Sequence, residues 1–261
     1  MTASLEGRAA IVTGAGSGVG RASALRFAQE GARVVCADID LAGAKETSRL
    51  VEAAGGTAFA VACDVSREDD VVAAIAATVE RYGQLDIMFN NAGIPTPRLG
   101  AKLEDHSVAE FDRLTAVNLR SVFLGSKYAV LQFKKQGSGG VILNTGSVAG
   151  IVAWGGAAYG ATKGGVHQLT RSVAIEGAPF GIRANAICPA GMPATNFMTT
   201  GGLPDDADAR EATTRAVGAS HPLGRPITAE DCAQAAVFLV SDQSANVTGI
   251  LLPVDGGYVA R

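Results

Sequence analysis

The sequence carries no excess of positive charge. Among 261 residues, 22 are lysine or arginine and 25 are aspartate or glutamate, which gives a net charge of −3 at pH 7. A mildly acidic chain without basic runs has no obvious means of neutralising a phosphate backbone or anionic lipid headgroups. The composition therefore argues against nucleic acid or a membrane surface as a partner.

Cysteine and histidine are sparse and scattered. No two cysteines form a C-x-x-C pair, and no histidine has another histidine or a cysteine at ligand spacing. The sequence therefore predicts no bound metal, and it predicts that the cysteines are small core residues. The residues concerned are Cys36, Cys63, Cys188, Cys232, His106, His167 and His221.

Long hydrophobic runs are also missing. The first residues, "MTASLEGRAAIVTGAG", have neither the basic start nor the apolar core of a secretory signal. No later run approaches the roughly 18 apolar residues of a membrane span. We expect a soluble, cytoplasmic protein.

What the chain has in abundance is short β-branched runs that alternate with helical patterns. "AAIVTG" precedes an amphipathic segment from Val19 to Glu30, and similar pairs follow from "RVVCADI", "TAFAVACDV" and "LDIMFNNAG". Strands separated by helices pair in parallel through right-handed crossovers. This order predicts an α/β fold with a Rossmann-like, doubly wound parallel sheet, covered by helices on both faces as a three-layer αβα sandwich.

No composition shift divides the pattern, so we expect residues 1–261 to form a single domain. The segment 190–226 is rich in Gly, Pro, Asp and Thr and is too long for an ordinary connection, which indicates a mobile loop or lid. Two helix starts carry capping-box patterns, Ser66 with Asp69 and Thr228 with Asp231.

The first strand ends in the glycine-rich turn "TGAGSGVG". The template G-x-G-x-x-G fails here in both registers, and the spacing is G-x-x-x-G-x-G through Gly14, Gly18 and Gly20. A glycine turn lets the backbone approach a pyrophosphate, and the following helix directs its free N–H groups at the same anion. The alternative is a flexible turn packed against a helix, which the position after the first strand disfavours.

Asp38 lies at the end of the second strand, about 20 residues beyond the glycine turn. A carboxylate there can bind both hydroxyls of a ribose, whereas it would repel a 2′-phosphate. The pattern predicts NAD rather than NADP. The alternative is an ordinary turn residue at a strand end.

Tyr159 and Lys163 are four residues apart in "AAYGATKGG", so in a helix they share one face and can act on one point. Taken alone, such a pair is more often a solvated surface turn. The surrounding motifs change that interpretation. In order along the chain they are "TGAGSGVG", "CDV" at 63–65, "NNAG" at 90–93, Ser147, Tyr159 with Lys163, and "DGG" at 255–257.

This combination resembles the short-chain dehydrogenase/reductase family over nearly the whole chain. The resemblance implies that Tyr159 is the acid/base, that Lys163 holds the nicotinamide ribose, that Ser147 binds the substrate oxygen, and that Asn118 helps to hold a water in a proton relay. It also implies a set of cofactor-binding residues, in which Asp64 meets the adenine and Thr195 the carboxamide. That set is Gly14, Ser17, Gly18, Val19, Asp38, Ile39, Asp64, Val65, Asn91, Ala92, Gly93, Tyr159, Lys163, Pro189, Gly191 and Thr195.

The tyrosine chemistry agrees with simple electrostatics. Lowering a phenol pKa from about 10 to about 7 takes about 4 kcal/mol. A lysine about 4 Å away, at an effective dielectric constant near 20, supplies an interaction of about that size. We therefore expect Lys163 to lower the pKa of Tyr159.

Two departures from the family pattern lie beside the expected substrate pocket. Ser147 and Tyr159 are separated by 12 positions, one fewer than in most relatives, and Ala190 is inserted between Pro189 and Gly191. The expected pocket is largely apolar, which favours a neutral secondary alcohol, including cyclic alcohols and diols. Its residues are Ile94, Pro95, Ala149, Trp154, Met192, Phe197 and Met198.

The expected function is therefore an NAD-dependent oxidoreductase that interconverts such an alcohol and a ketone without a metal. One alternative is an NADPH-dependent ketoreductase of the 3-oxoacyl-carrier type, and another is a non-catalytic NAD(H)-binding regulatory protein. Asp38 weighs against the first, and the complete Ser, Tyr, Lys and Asn set weighs against the second. The family resemblance also implies a homotetramer.

Overall fold

The computed structural model describes residues 4–98, 100–192 and 206–261. Within them the chain forms one seven-stranded parallel sheet with the order β3-β2-β1-β4-β5-β6-β7. The strands are β1 (Ala9–Thr13), β2 (Arg33–Asp38), β3 (Thr57–Ala62), β4 (Ile87–Asn90), β5 (Gly140–Thr145), β6 (Ile182–Pro189) and β7 (Leu251–Val254).

Helices cover both faces of this sheet. They are α1 (Gly18–Gln29), α2 (Leu41–Ala53), α3 (Glu68–Tyr82), α4 (Val108–Thr115), α5 (Ser121–Gln136), α6 (Ala157–Gly177), α7 (Ala207–Ser220) and α8 (Ala229–Val240). The predicted doubly wound fold and its single-domain organisation are confirmed.

Strand residues alternate between the two faces because successive side chains of a strand point in opposite directions. Ala10 and Val12 of β1 pack in one hydrophobic core with Phe27 of α1. Ala9 and Ile11 pack in the other core, which α3, α5 and α6 cover. This alternation produces the three layers.

All four cysteines are buried and free, as the sequence predicts. In the part of the chain that the structure describes, no helix has both the length and the apolar character needed to cross a membrane.

The two predicted capping boxes have different outcomes. The box at Thr228 is present, because its hydroxyl accepts from the Asp231 N–H at 3.1 Å while the Asp231 carboxylate accepts from the Thr228 N–H at 2.9 Å. The box at Ser66 is wrong. Ser66 donates instead to the Asp64 carboxylate, and α3 begins two residues later, at Glu68.

The segment 190–226 is partly helical, since α7 occupies Ala207–Ser220. Residues 193–205 lie outside the described part of the chain, so the expected lid stays a prediction.

The strand order reverses direction between β1 and β4, the two strands that start the opposite halves of the sheet. Ligands of open parallel sheets bind beyond the carboxyl ends of the strands at such a switch point. The glycine turn after β1 and the "NNAG" segment after β4 both lie there.

Candidate active site

The glycine turn after β1 leaves room for an anion next to backbone N–H groups. Gly14 and Gly18 have φ angles of +67° and +51°, which favour glycine. A Cβ on Gly20 would lie only 2.0 Å from the Gly14 carbonyl oxygen, so α1 could not pack this closely with any other residue there. Ser17 precedes α1 without capping it through its side chain, and the first turn contains no acidic residue. The free N–H groups and the positive end of the helix dipole suit a phosphate.

Asp38 stands beside this turn, at the end of β2. Its carboxylate accepts hydrogen bonds from the Gly16 N–H at 2.8 Å and from the Asp40 N–H at 2.9 Å. The side chain is half-buried, and a carboxylate has further acceptor sites. The glycine turn thus fixes the orientation of the one acidic group predicted to meet a ribose.

Further residues predicted to bind the cofactor lie after β1, β2 and β3. Ile39 is 74% exposed, while Val19 and Val65 are buried. The Ser66 hydroxyl donates to Asp64 at 2.7 Å, and this hydrogen bond lowers the pKa of the Asp64 carboxyl. Asp64 is therefore ionised at neutral pH.

The segment after β4 is held to its neighbouring strands by side-chain hydrogen bonds. Asn91 donates from Nδ2 to the Thr13 carbonyl at 2.9 Å and accepts from the Thr145 hydroxyl at 3.0 Å. The Ala92 N–H donates to the Thr13 hydroxyl at 3.1 Å. These hydrogen bonds tie the segment after β4 to the ends of β1 and β5.

Asn118 occupies a π-helical turn, Ala116–Arg120, between α4 and α5, and it is fully buried. Its amide clamps the backbone of Ile94, with Nδ2 donating to the carbonyl and Oδ1 accepting from the N–H, each at 2.8 Å. A Cβ on Gly93 would lie 3.2 Å from the Asn118 Oδ1 and 3.8 Å from the Lys163 Nζ. Asn118 and Lys163 therefore flank the same glycine.

Ser147, Tyr159 and Lys163 meet above the end of β5. Ser147 follows β5, whereas Tyr159 and Lys163 lie on one face of α6, and the side chains of Ser147 and Tyr159 form a hydrogen bond. The Lys163 Nζ lies 5.7 Å from the centroid of the Tyr159 ring and donates to the Thr145 carbonyl at 2.7 Å. All three side chains are buried. The structure thus brings the predicted catalytic residues together.

The pKa of Tyr159 differs from the sequence-based expectation. Burial raises the pKa of the Tyr159 hydroxyl, and the hydrogen bond with Ser147 opposes this shift only in part. Burial also lowers the pKa of Lys163 to about 8. The expectation that the lysine lowers the tyrosine pKa neglected the desolvation of both groups, which disfavours their charged forms.

The chain resembles dehydrogenases and reductases over almost its whole length. A family model described as enoyl-(acyl carrier protein) reductase matches residues 14–259. A 3beta-hydroxysteroid dehydrogenase of Eggerthella lenta is 42% identical over 97% of this chain and 94% of its own length. The 2-(R)-hydroxypropyl-CoM dehydrogenase of Xanthobacter autotrophicus is 42% identical over 97% and 99%.

A crystal structure from Burkholderia xenovorans, described as a short-chain dehydrogenase/reductase, superimposes with a TM-score of 0.90. It is 38% identical, and 99% of each chain is covered. This chain belongs to the short-chain dehydrogenase/reductase family. It is therefore an oxidoreductase that acts on CH–OH groups, and its family uses nicotinamide cofactors.

The described residues among those predicted for the substrate side of this dehydrogenase lie in two places. Ile94, Ala149 and Trp154 pack around Tyr159 in a small hydrophobic cluster, and Pro95 is buried directly after Ile94. Met192 packs against the main core, with its sulfur 3.7 Å from the Cys232 Sγ. Phe197 and Met198, together with the predicted cofactor residue Thr195, lie outside the described residues.

The two departures from the family pattern have local explanations. Ala190 is buried, and its N–H donates to the Val254 carbonyl at 3.3 Å, so it extends the contact between β6 and β7. Pro189 ends β6, and its carbonyl oxygen lies 3.4 Å from the Ser147 hydroxyl oxygen. A Cβ on Gly191 would lie 3.4 Å from the Trp154 ring, which places that ring against the chain leaving β6.

The shorter segment between Ser147 and Tyr159 forms the wall of an open pocket of about 500 Å³. Its lining is contributed by residues 149–157 together with Gly160, and none of them carries a charge. Tyr159 adjoins this wall, because a Cβ on Gly155 would lie 3.2 Å from the Tyr159 ring.

Sequence reasoning missed several residues that shape the site. Thr13 and Thr145 hold Asn91 and Lys163, and His167 lies beneath Ser147. A signal for His167 is present in the sequence, because it follows Lys163 by the same four positions that separate Lys163 from Tyr159. The threonines carry no such signal, since their roles depend on strand neighbours far apart in the sequence.

Proposed function

We propose that this dehydrogenase interconverts a neutral secondary alcohol and its ketone with NAD as the hydride acceptor. The observation that carries the proposal is the meeting of Tyr159 with Ser147 and Lys163 beyond the carboxyl end of β5, next to the switch point between β1 and β4. The preferred substrates include cyclic alcohols and diols.

Tyr159 acts as the acid/base in this proposal. During oxidation its oxygen takes the hydroxyl proton of the alcohol, and during reduction it returns a proton to the ketone oxygen. The Ser147 hydroxyl holds the same substrate oxygen. Its hydrogen bond with the Tyr159 side chain shows that the two groups are close enough to meet one oxygen. Lys163 favours the tyrosinate through its positive charge.

Asn118 supports proton exchange with solvent. Its amide holds Ile94 and reaches the glycine that also borders Lys163, so a water bound there would connect the lysine to the outside. This role follows the family resemblance and rests on the position of the π-helical turn, a feature that is frequent at functional sites.

The glycine turn and its surroundings fit a dinucleotide. Gly14, Ser17 and Gly18 would hold the pyrophosphate, and Asp38 would accept hydrogen bonds from the adenosine ribose. The other predicted contacts are Val19, Ile39, Asp64, Val65, Asn91, Ala92, Gly93, Pro189, Gly191 and Thr195. When bound, oxidised nicotinamide accepts the hydride and brings a positive charge that favours the tyrosinate.

The preference for NAD rests on the Asp38 carboxylate. It is fixed by the Gly16 N–H, and a 2′-phosphate placed near it would meet like charge without a compensating base. Arg21, a basic side chain beside the glycine turn, already donates to the Gly16 carbonyl and to the Thr47 hydroxyl.

The preference for a neutral substrate rests on the apolar surroundings of Tyr159. Ile94, Ala149 and Trp154 offer no charge to an anion, and burying an unpaired anion is costly. The relative named for a hydroxysteroid supports a secondary alcohol.

A second candidate is an NADPH-dependent ketoreductase of the 3-oxoacyl-carrier type. The match to the enoyl-(acyl carrier protein) reductase model is the observation that favours it. Asp38 disfavours it for the reason given above.

We also propose that the segment 190–226 closes over the substrate. Within its described part, α7 lies near Trp154, because a Cβ on Gly191 would lie 3.5 Å from Val217 as well as 3.4 Å from Trp154. A lid that contacts Trp154 would exclude water from the reacting groups.

The test is the formation of NADH from NAD with purified protein and a panel of cyclohexanol, cyclohexanediol, a secondary alkanol and a hydroxysteroid. Turnover of at least one alcohol with NAD, and a lower kcat/KM with NADP, is the expected result. No turnover of any alcohol with either cofactor would overturn the proposed function, whereas faster turnover with NADP would favour the second candidate.

A further inference from the structure

His167 lies on α6 below the residues proposed to carry the reaction. It follows Tyr159 and Lys163 at two successive intervals of four, so all three side chains share a face of the helix. The side chain is 2% exposed, and the proposed reaction gives it no role.

The imidazole joins α6 to the turn that carries Ser147. Its Nε2 accepts from the Ser147 N–H at 3.4 Å and lies 3.3 Å from the Cys188 Sγ, and the ring also hydrogen-bonds with the backbone of Gly150. The ring therefore contacts both ends of the turn from Ser147 to Gly150.

The sequence around the turn leaves space for this ring. A Cβ on Gly146 would lie 2.5 Å from Nε2, and a Cβ on Gly150 would lie 2.6 Å from Cε1. Side chains at either position would displace the imidazole. The space for the imidazole thus depends on two glycines, Gly146 and Gly150, which precede His167 by 21 and 17 residues.

The protonation state of the ring follows from its surroundings. Burial lowers the pKa of His167 to about 4, the Gly150 backbone opposes this shift, and Lys163 and Arg171 add to it. The ring is therefore neutral at neutral pH. Since the Ser147 N–H can only donate, Nε2 carries the lone pair, and the N–H of Nδ1 donates the hydrogen bond to the Gly150 carbonyl.

We propose that His167 is a positioning residue whose neutral ring clamps the Ser147 turn onto α6 and so sets the distance between the Ser147 and Tyr159 hydroxyls. Ser147 follows β5, and Tyr159 lies near the start of α6. A contact between the turn and the helix is therefore needed to fix the distance between their hydroxyls. The inference rests on the proposed function, because it assigns Ser147 and Tyr159 to the reaction.

The test compares three variants on the alcohol that the wild type turns over fastest in the panel above. His167→Leu removes the acceptor, His167→Gln restores one near the position of Nε2, and Thr170→Val is the control. Thr170 is a buried residue of the same helix that bonds to Asn144 rather than to Ser147.

For His167→Leu we expect kcat to fall about 10- to 100-fold, because small misplacements of reacting groups have effects of that size. The affinity for NADH, measured by energy transfer from Trp154, stays unchanged. His167→Gln should recover most of the rate, and Thr170→Val should retain it.

The pH dependence of kcat distinguishes positioning from a loss of stability. Tyr159 is faced by Ser147 from the turn, by Cys188 from β6 and by Lys163 from its own helix. The Ser147 hydrogen bond lowers the pKa of Tyr159, so its displacement should shift the rise of the oxidation rate to higher pH in the leucine variant. The glutamine variant should keep the wild-type profile.

Two outcomes would overturn the inference, namely a glutamine variant as slow as the leucine variant, or a leucine variant with the kcat and pH profile of Thr170→Val. Should the leucine variant fail to fold, His167→Asn replaces it, because its shorter side chain cannot reach the Ser147 N–H. A wild type without turnover would instead refute the proposed function, so the two failures are distinguishable.

Discussion

At the scale of single residues, the spacing in the sequence predicted the positions of the proposed site residues but not the contacts that each of them makes. The sequence placed Tyr159 and Lys163 on one helix face and Asp38 at a strand end, and the structure has them there. It could not show that Asp38 binds the Gly16 N–H, because that contact joins segments 22 residues apart. The predicted direction of the shift in the Tyr159 pKa was also wrong, since the spacing of two residues in a helix does not show how deeply they are buried.

Asp38→Asn tests the cofactor preference at this scale. The amide keeps the size of the side chain and removes its charge, so both the attraction to ribose hydroxyls and the repulsion of a 2′-phosphate weaken. We expect the ratio of the NADPH to the NADH dissociation constant to fall about 10-fold or more, which corresponds to about 1.4 kcal/mol. Energy transfer from Trp154 to each reduced cofactor measures both constants.

Asp40→Asn is the matched control for this change. Asp40 loses the same charge two residues away and can still cap α2, where its carboxylate accepts from the Ala42 N–H at 3.1 Å. The control should keep the wild-type ratio. If the Asp38→Asn variant has the same ratio of dissociation constants as the wild type, Asp38 does not set the cofactor preference.

At the scale of elements, local signals predicted the helices and strands well and predicted their ends less well. The capping box of α8 is confirmed because Thr228 and Asp231 satisfy each other's N–H groups without outside partners. The capping box predicted at Ser66 does not form, because the Ser66 hydroxyl donates to the Asp64 carboxylate two residues before it. The π-helical turn at Asn118 had no sequence signal, since it arises where α4 meets α5.

Thr228→Ala tests the contribution of the α8 cap. The change leaves the Asp231 N–H without its hydroxyl acceptor, and such losses cost about 1 kcal/mol of unfolding free energy. We expect a lower midpoint of thermal unfolding with kcat unchanged. Thr228→Ser should match the wild type, and equal midpoints for the alanine and serine variants would show that the hydroxyl contributes nothing.

At the scale of the whole molecule, the alternation of strands and helices predicted the layers of the sheet, and the strand order explains the position of the site. The order places β1 beside β4, so the glycine turn and the "NNAG" segment meet although 76 positions separate Gly14 from Asn90. Sequence alone could not predict the conformation of the chain after β6, where Gly191 packs against Trp154.

We propose that the protein forms a homotetramer, in which α5, α6 and the last strand contact neighbouring copies. Phe123 and Leu131 of α5 and Ile175 of α6 are exposed, and their burial against another copy would be favourable. Light scattering coupled to gel filtration should give the mass of four chains of 26.4 kDa. The mass of a single chain would contradict this assembly.

The most direct test of the central claim is the kcat of Tyr159→Phe for the best alcohol of the panel, measured with NAD beside the affinity of the same variant for NADH. Removing one hydroxyl takes away the acid/base and leaves the glycine turn and Asp38 intact. The account predicts an unchanged NADH affinity and a kcat lowered by about 100-fold or more, the typical range for the loss of general acid–base catalysis. Substantial turnover by this variant would show that Tyr159 is not the acid/base.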